Sequence, residues 1–266
     1  MDSDASPFLS STALKTTTLV VSLLAATLAA DTVPVRYRDS TARGFLTLRS
    51  MDGRLLATGE QTQVTRANVI TKRLTFRFSD GSLDDETTVF TDAASLRLMT
   101  YRHVQTGPSF SHPLDFTIDA TTGRVVCRDL SAGRDQVEDT TMDLPADLSN
   151  GLTTNIVQNA RLAALPLTVS YLAATPKPRL VHLVISSAGL EPLLAGGAAH
   201  QARHYVIDVH IGGLEGILAS AVRKQMPRSH LWMSTGVPTF LRAEAPLAVD
   251  GPMWRIDLAS PIPQAN

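Results

Sequence analysis

The chain reads as a mainly β protein, one large curved antiparallel sheet or open half barrel with one or two short covering helices. Three observations predict this. Apolar and polar residues alternate along many short stretches, several stretches are joined by Asp-Gly or Thr-Gly, and only one clear run of helical spacing interrupts them. Alternation puts one face of a strand in a core and the other in water, a habit of antiparallel rather than parallel sheets.

A hydrophobic leader comes first. Lys15 precedes Thr18, Leu19, Val20, Val21, Leu23, Leu24, Ala25, Ala26 and Leu28, an apolar run of about 13 to 15 residues, and Ala29 and Ala30 supply small side chains for cleavage. A spanning helix needs about 20 apolar residues. Residues 1–30 are therefore expected to be a signal peptide directing export to the periplasm or beyond, with a retained membrane anchor as the alternative. Residues 31–266 are expected to form a single antiparallel β domain.

Within that domain, residues 45–50 and 55–65 flank Asp52-Gly53, and residues 69–78 and 83–90 flank Asp80-Gly81. Such dipeptides tolerate the positive φ of tight hairpin turns. Leu74, Phe76 and Phe78 alternate with Arg73, Thr75 and Arg77, and Leu114, Phe116 and Ile118 with Asp115, Thr117 and Asp119. Thr122-Gly123 then leads into a strand that carries Val125 and Cys127 on one face. Together these stretches imply a meander.

The acidic residues Asp135, Glu138, Asp139, Asp143 and Asp147 read as a polar strand followed by the approach to a helix, where carboxylates complement the N-terminus. Leu152, Ile156, Val157, Ala160 and Ala164 recur at helical spacing and predict a helix over about 148 to 162, capped by Asp147 or Ser149. Strand patterning resumes at 163–173 and 179–186, on either side of Pro176 and Pro178, which read as a loop inside one fold. It continues at 205–211, 230–233 and 254–258, where Trp254, Ile256 and Leu258 alternate with Arg255 and Asp257. Residues 212–228 carry Leu214, Ile217, Leu218, Ala221 and Val222 ahead of Arg223, Lys224 and Arg228. They read either as an amphipathic helix whose basic end touches a membrane surface or as a continued strand and long turn.

Composition narrows the function. A chain of 266 residues buries roughly 70 % of its unfolded surface without help from disulfides. Cys127 is the only cysteine, so packing must supply the stability, and it reads as a small buried hydrophobe rather than a reactive thiol. Charged residues make up 18 %, and removal of residues 1–30 leaves 23 basic and 23 acidic side chains. No basic field exists to attract phosphate backbones, and at 5 % aromatic there are few stacking platforms, so nucleic acid is not an expected partner.

Candidate chemistry is sparse. His200, His204, Asp208 and His210 are the densest histidine cluster, but on one strand His204 and His210 would lie about 20 Å apart, so only Asp208 and His210 could meet. A zinc site needs three or four convergent ligands and would have to borrow His182 or His103. No metal and no cofactor is expected. Asp80, Asp84, Asp85 and Glu86 lack the spacing of a calcium loop and read as a solvated turn. Gly-x-Ser-x-Gly, His-Glu-x-x-His, Walker and Gly-x-Gly-x-x-Gly motifs are absent. Among Glu60, Glu86, Glu138, Glu191, Glu215 and Glu244 nothing selects a catalytic pair, so no catalytic residue is assigned.

The segment from Leu144-Pro145-Ala146-Asp147-Leu148-Ser149-Asn150-Gly151 to Leu152, with Phe76-Arg77-Phe78-Ser79-Asp80-Gly81-Ser82 and the terminal Trp254-Arg255-Ile256-Asp257-Leu258-Ala259-Ser260-Pro261, resembles uncharacterised exported bacterial β-rich families. Those families are in turn distantly similar to periplasmic lipoprotein-carrier half barrels. The resemblance covers most of residues 31–261 and implies a strongly curved sheet whose hollow holds acyl chains; it transfers no ligand-binding residue.

One helix cannot cover so large a sheet, so its inner face must fold on itself or leave a hollow. The expected function is non-enzymatic binding of an apolar ligand, a lipid or acyl chain, in that hollow, lined by Leu74, Phe76, Phe78, Leu114, Phe116 and Ile118. A structural or interaction module of the envelope, acting through loops or an edge strand, is the alternative, and a hydrolase with an unrecognised site the third reading.

Overall fold

The computed structural model describes residues 32–131, 133, 136–211 and 227–259. The expected leader and most of the amphipathic stretch at 212–228 lie outside the described residues, as do Asp135, Ser260 and Pro261.

Among the described residues alternation builds fourteen strands. The first eight are β1 (Ala42–Ser50), β2 (Leu55–Arg66), β3 (Val69–Phe78), β4 (Leu83–Asp92), β5 (Leu96–Thr106), β6 (Leu114–Asp119), β7 (Arg124–Asp129) and β8 (Val137–Thr141). The last six are β9 (Leu167–Ala173), β10 (Arg179–Ala195), β11 (Ala198–His210), β12 (Ser229–Ser234), β13 (Phe240–Ala245) and β14 (Trp254–Leu258). A short helix, α1 (Thr153–Asn159), lies between the two sets. Gly53 and Gly81 adopt φ of 94° and 87° in the expected Asp-Gly turns.

All fourteen strands form one antiparallel sheet in the order β8-β7-β6-β5-β4-β3-β2-β1-β14-β13-β12-β11-β10-β9. Two meanders are thus joined through their outermost sequence elements, β1 and β14, with Leu48 opposite Ile256. The sheet curls until its two ends share a core. Phe116, Ile118 and Val125 from one end and Leu172, Ile185, Tyr205 and Met233 from the other pack in one buried cluster with Leu152, Ile156 and Val157 of the α1 region. A second cluster of Leu46, Leu48, Phe76, Phe78, Phe110, Trp254 and Ile256 fills the stretch around β1. Among the described residues no ladder joins β8 to β9, so the barrel is open along one seam.

The helix is shorter than its spacing predicts, and neither Asp147 nor Ser149 caps it. Its N-cap position is Leu152, with no side-chain cap, and Gly151 just before it sits at φ +69°. Asp147, Ser149 and Asn150 serve the free edge of β9 instead. Ser170 donates its N–H to Asp147 Oδ2 at 2.8 Å, and its carbonyl accepts from the Ser149 backbone and hydroxyl at 2.8 and 2.6 Å. The Asn150 amide exchanges two bonds of 2.9 Å with the N–H and C=O of Leu172. The stretch expected as strand from 163 begins at Leu167, after a 3-10 turn at Leu162–Ala164. Residues 175–178 are the turn between β9 and β10.

Asn150 is fully buried, and its loss leaves two backbone groups of Leu172 without partners. Asn150→Ala is expected to lower unfolding free energy by about 2 to 4 kcal/mol, checked by urea denaturation. A change below about 0.5 kcal/mol would contradict this account of the β9 edge.

Candidate functional site

The inner face is not a continuous apolar hollow. Phe76, Phe116 and Ile118 are completely buried, and Phe78 nearly so, with neighbours packed on all sides. They fall into two separate clusters, Phe116 and Ile118 with half-buried Leu114 in one, Phe76 and Phe78 with half-buried Leu74 in the other. Space opens at the seam instead. A cavity of about 700 Å³ lies between the β6–β8 end of the sheet and the turn after β9. Its apolar wall comes from Leu114, Cys127, Val137, Ala174, Pro176, Ala248 and Val249, and its polar groups include His112, Gln136, Glu138, Lys177 and Asp250. Of the six residues expected to line a ligand site, only Leu114 borders this cavity. Cys127 shares the inner face with Val125, as expected, and burial together with the carboxylates of Asp129, Asp115 and Glu138 pushes its thiol up.

Beside the cavity the inner face carries a belt of polar groups, and two of them, Asp84 and Glu86, are residues whose sequence context reads as a solvated turn. Asp84 and Glu86 do not lie in a solvated turn. They occupy alternate inward positions of β4, opposite Phe76 and Leu74 of β3 and opposite Gln105 and His103 of β5. Asp85, between them, faces out and is held by Arg73 at 2.8 and 2.9 Å. Asp84 Oδ1 lies 2.7 Å from His103 Nε2 and accepts from Gln105 at 2.7 Å. Gln105 also reaches the Leu247 carbonyl at 2.8 Å, next to the cavity wall at Ala248. Tyr101 donates to Glu86 at 3.0 Å. Burial alone would lower the imidazolium pKa of His103, but the charge and hydrogen bond of Asp84 outweigh it, so the net shift is upward. Tyr101 and Tyr171 are raised by burial and by the Glu86 carboxylate.

Further along, Lys72 is fully enclosed. It donates to the Gly151 carbonyl at 2.5 Å and to Asn155 Oδ1 at 2.7 Å, tying β3 to α1. Burial pushes its ammonium down against Glu86 and Asp39. Asp39 is raised by burial although Gln63 and Asn155 donate to it. A charge that deep is costly unless hydrogen-bonded throughout, so this network fixes the position of α1.

The histidine cluster disperses on the outer surface. His200 bonds the Ala195 carbonyl, Asp208 pairs with Arg228 at 2.8 Å, and His210 stands opposite His182. Asp208 and His210, the only two that the strand spacing would allow to meet, thus take separate neighbours. His204 meets His230 of β12 instead, Nε2 to Nδ1 at 2.9 Å, and stacks on Trp232 with ring centroids 4.4 Å apart. Trp232 donates to Glu191, whose carboxylate lies 3.8 Å from His204 Nδ1. Burial lowers the pKa of His204, reinforced by His230 and opposed by Glu191 and Glu244. Among the described residues no group of three or more His, Cys, Asp or Glu side chains is arranged to hold a metal ion. Nor, among them, is any helix long and apolar enough to cross a membrane.

No protein-family model matches the chain, and no curated protein matches it. It is similar to a solved structure from Brucella abortus described as a β-barrel-like protein of the domain of unknown function DUF1849, at 12 % identity and a TM-score of 0.44, over 87 % of this chain and 98 % of that one.

The raised pKa of His103 gives a signed pH dependence. Its contribution to stability is fully present below about pH 6.5, the ordinary histidine value, and is lost as pH rises through the higher folded value. Asp84→Asn removes the carboxylate that favours the imidazolium. Denaturation midpoints measured from pH 5.5 to 8.5 (roughly bracketing the histidine range) are expected to fall with pH in the parent chain more than in Asp84→Asn. Parallel profiles would contradict the pairing.

Proposed function

We propose that this is an exported envelope protein, not an enzyme, that binds an elongated apolar ligand, a lipid or acyl chain, in the cavity at the open seam. The observation that carries the reading is the cavity itself. At about 700 Å³ it falls within the range typical of small-molecule sites, roughly 300 to 1,000 Å³. Apolar side chains such as Leu114, Val137, Ala174 and Val249 suit a hydrocarbon chain, and polar groups such as Gln136 and Lys177 suit a head group near water. The packed remainder of the inner face supports a seam site over a central hollow, because Phe76, Phe116 and Ile118 have no exposed surface to offer. Export rests on the expected leader, and the distant resemblance read in the sequence to families similar to lipoprotein carriers is in keeping with an acyl ligand.

Leu114 is half-buried at the cavity wall, so a larger side chain there has room to occupy the ligand's space. Leu114→Trp is expected to weaken binding of a fluorescent dodecanoyl probe by roughly tenfold or more, with an unchanged circular dichroism spectrum. Native mass spectrometry of protein purified from its own host is expected to show a copurifying lipid that delipidation removes. An empty host protein together with probe binding indifferent to Leu114→Trp would refute the reading.

A further inference from the structure

The chain treats the two free edges of its sheet differently. On β9 the outward N–H and C=O groups of Ser170 and Leu172 are occupied by Asp147, Ser149 and Asn150. On β8 the backbone runs the other way round. Asp129 N–H bonds the Gln136 carbonyl at 2.9 Å and Met142 N–H bonds the Gly123 carbonyl at 2.9 Å, in register with Cys127 opposite Glu138 and Val125 opposite Thr140. Antiparallel ladders alternate, so the even-numbered residues of β8 face β7 and the backbone groups of Val137, Asp139 and Thr141 face the seam. That row begins at Val137, which lines the cavity. Among the described residues nothing pairs with this row, and an unpaired edge of this kind is a template for another strand.

We propose that the β8 edge is a docking site for an extended segment of a partner protein, which adds as a strand beside Val137–Thr141 and roofs the seam cavity. Five residues of strand span about 17 Å, which sets the length of segment that pairs. Its chemistry follows from the faces of β8. Glu138 and Thr140 share the inner face with Cys127 and Val125, while Asp139 faces out beside Arg124, its partner at 2.6 Å. Alternate side chains of an added strand therefore stand over the apolar wall, where Val, Ile or Leu fit. Arg124 neutralises Asp139, which leaves the exposed Glu138 carboxylate over the seam, so a neutral or basic segment complements β8 better than an acidic one. This inference goes beyond ligand binding and does not require it, because pairing uses backbone groups and an acyl chain would use the apolar wall.

Proline at 139 tests it without removing a backbone bond to β7, since the N–H it deletes points into the seam; the ion pair with Arg124 is lost with it, and Asp139→Asn is the control for that loss. The probe is a fluorescein-labelled peptide of alternating valine and threonine with a lysine at each end, read by anisotropy against the full chain. Saturable binding is expected, roughly tenfold weaker for Asp139→Pro and for the same peptide N-methylated along its pairing edge. The N-methylated peptide keeps every side chain, so it decides the matter even if Asp139→Pro folds poorly. Equal binding of both peptides, or no saturation up to about 1 mM, overturns the proposal. So does a dimer of this chain in sedimentation that Asp139→Pro abolishes, because a second copy would then own the edge. Failure of the parent chain to bind the peptide, with dodecanoyl-probe binding retained, would sink this inference alone.

Discussion

The structure depends on one unmade contact, the pairing between β8 and β9. Fourteen antiparallel strands with native twist curl far enough for their ends to share a core, and full closure would leave no edge. Here the chain spends the connection between β8 and β9 on α1 and on the segment from Asp147 to Asn150. That segment satisfies β9 by side chains and backbone rather than by a neighbouring strand. One edge is thereby closed to further pairing. The other faces a cleft of about 700 Å³, large enough for a small ligand.

The buried polar belt is the second consequence of curling. Strands that meet across a closed interior cannot all be apolar where α1 enters, because the helix presents the Gly151 carbonyl and the Asn155 amide to them. Lys72 answers those groups, and the carboxylates of Glu86 and Asp39 oppose its charge. Such networks fix geometry more than they add stability. Thr88, fully buried opposite Lys72, lies against Gly151, where any side chain would collide with it. Close approach of α1 to β4 therefore requires glycine there as well as its positive φ.

Much of the architecture was legible because alternation is local. The bounds of β3 follow from Leu74, Phe76 and Phe78 alone, and the Asp-Gly turns fix the hairpins on either side. β5 escaped notice for a physical reason. A bulge at Met99 shifts its phase between Leu98 and Tyr101, and its inward positions include the polar His103 and Gln105, which break the apolar alternation. β13 hides behind a similar register shift near Leu241. Asp84 and Glu86 look like a wet turn until β5 supplies the partners that bury them. The helix was overextended because Asp147 and Ser149 are good caps, and nothing local says that the edge of β9 claims them first. The cavity was invisible for a related reason: Leu114, Val137, Ala174 and Val249 come from four separate parts of the chain. Hydrophobic periodicity finds faces, and a gap between faces depends on how far the sheet turns.

Backbone amide exchange in the unliganded protein, followed residue by residue by NMR, tests the open seam most directly. The account predicts that Val137, Asp139 and Thr141 exchange orders of magnitude faster than Glu138 and Thr140 on the same strand, while Ser170 and Leu172 on the opposite edge are protected. Equal protection along the whole of β8 would mean that the edge is already paired, and the seam, its cavity and the docking site would all be wrong.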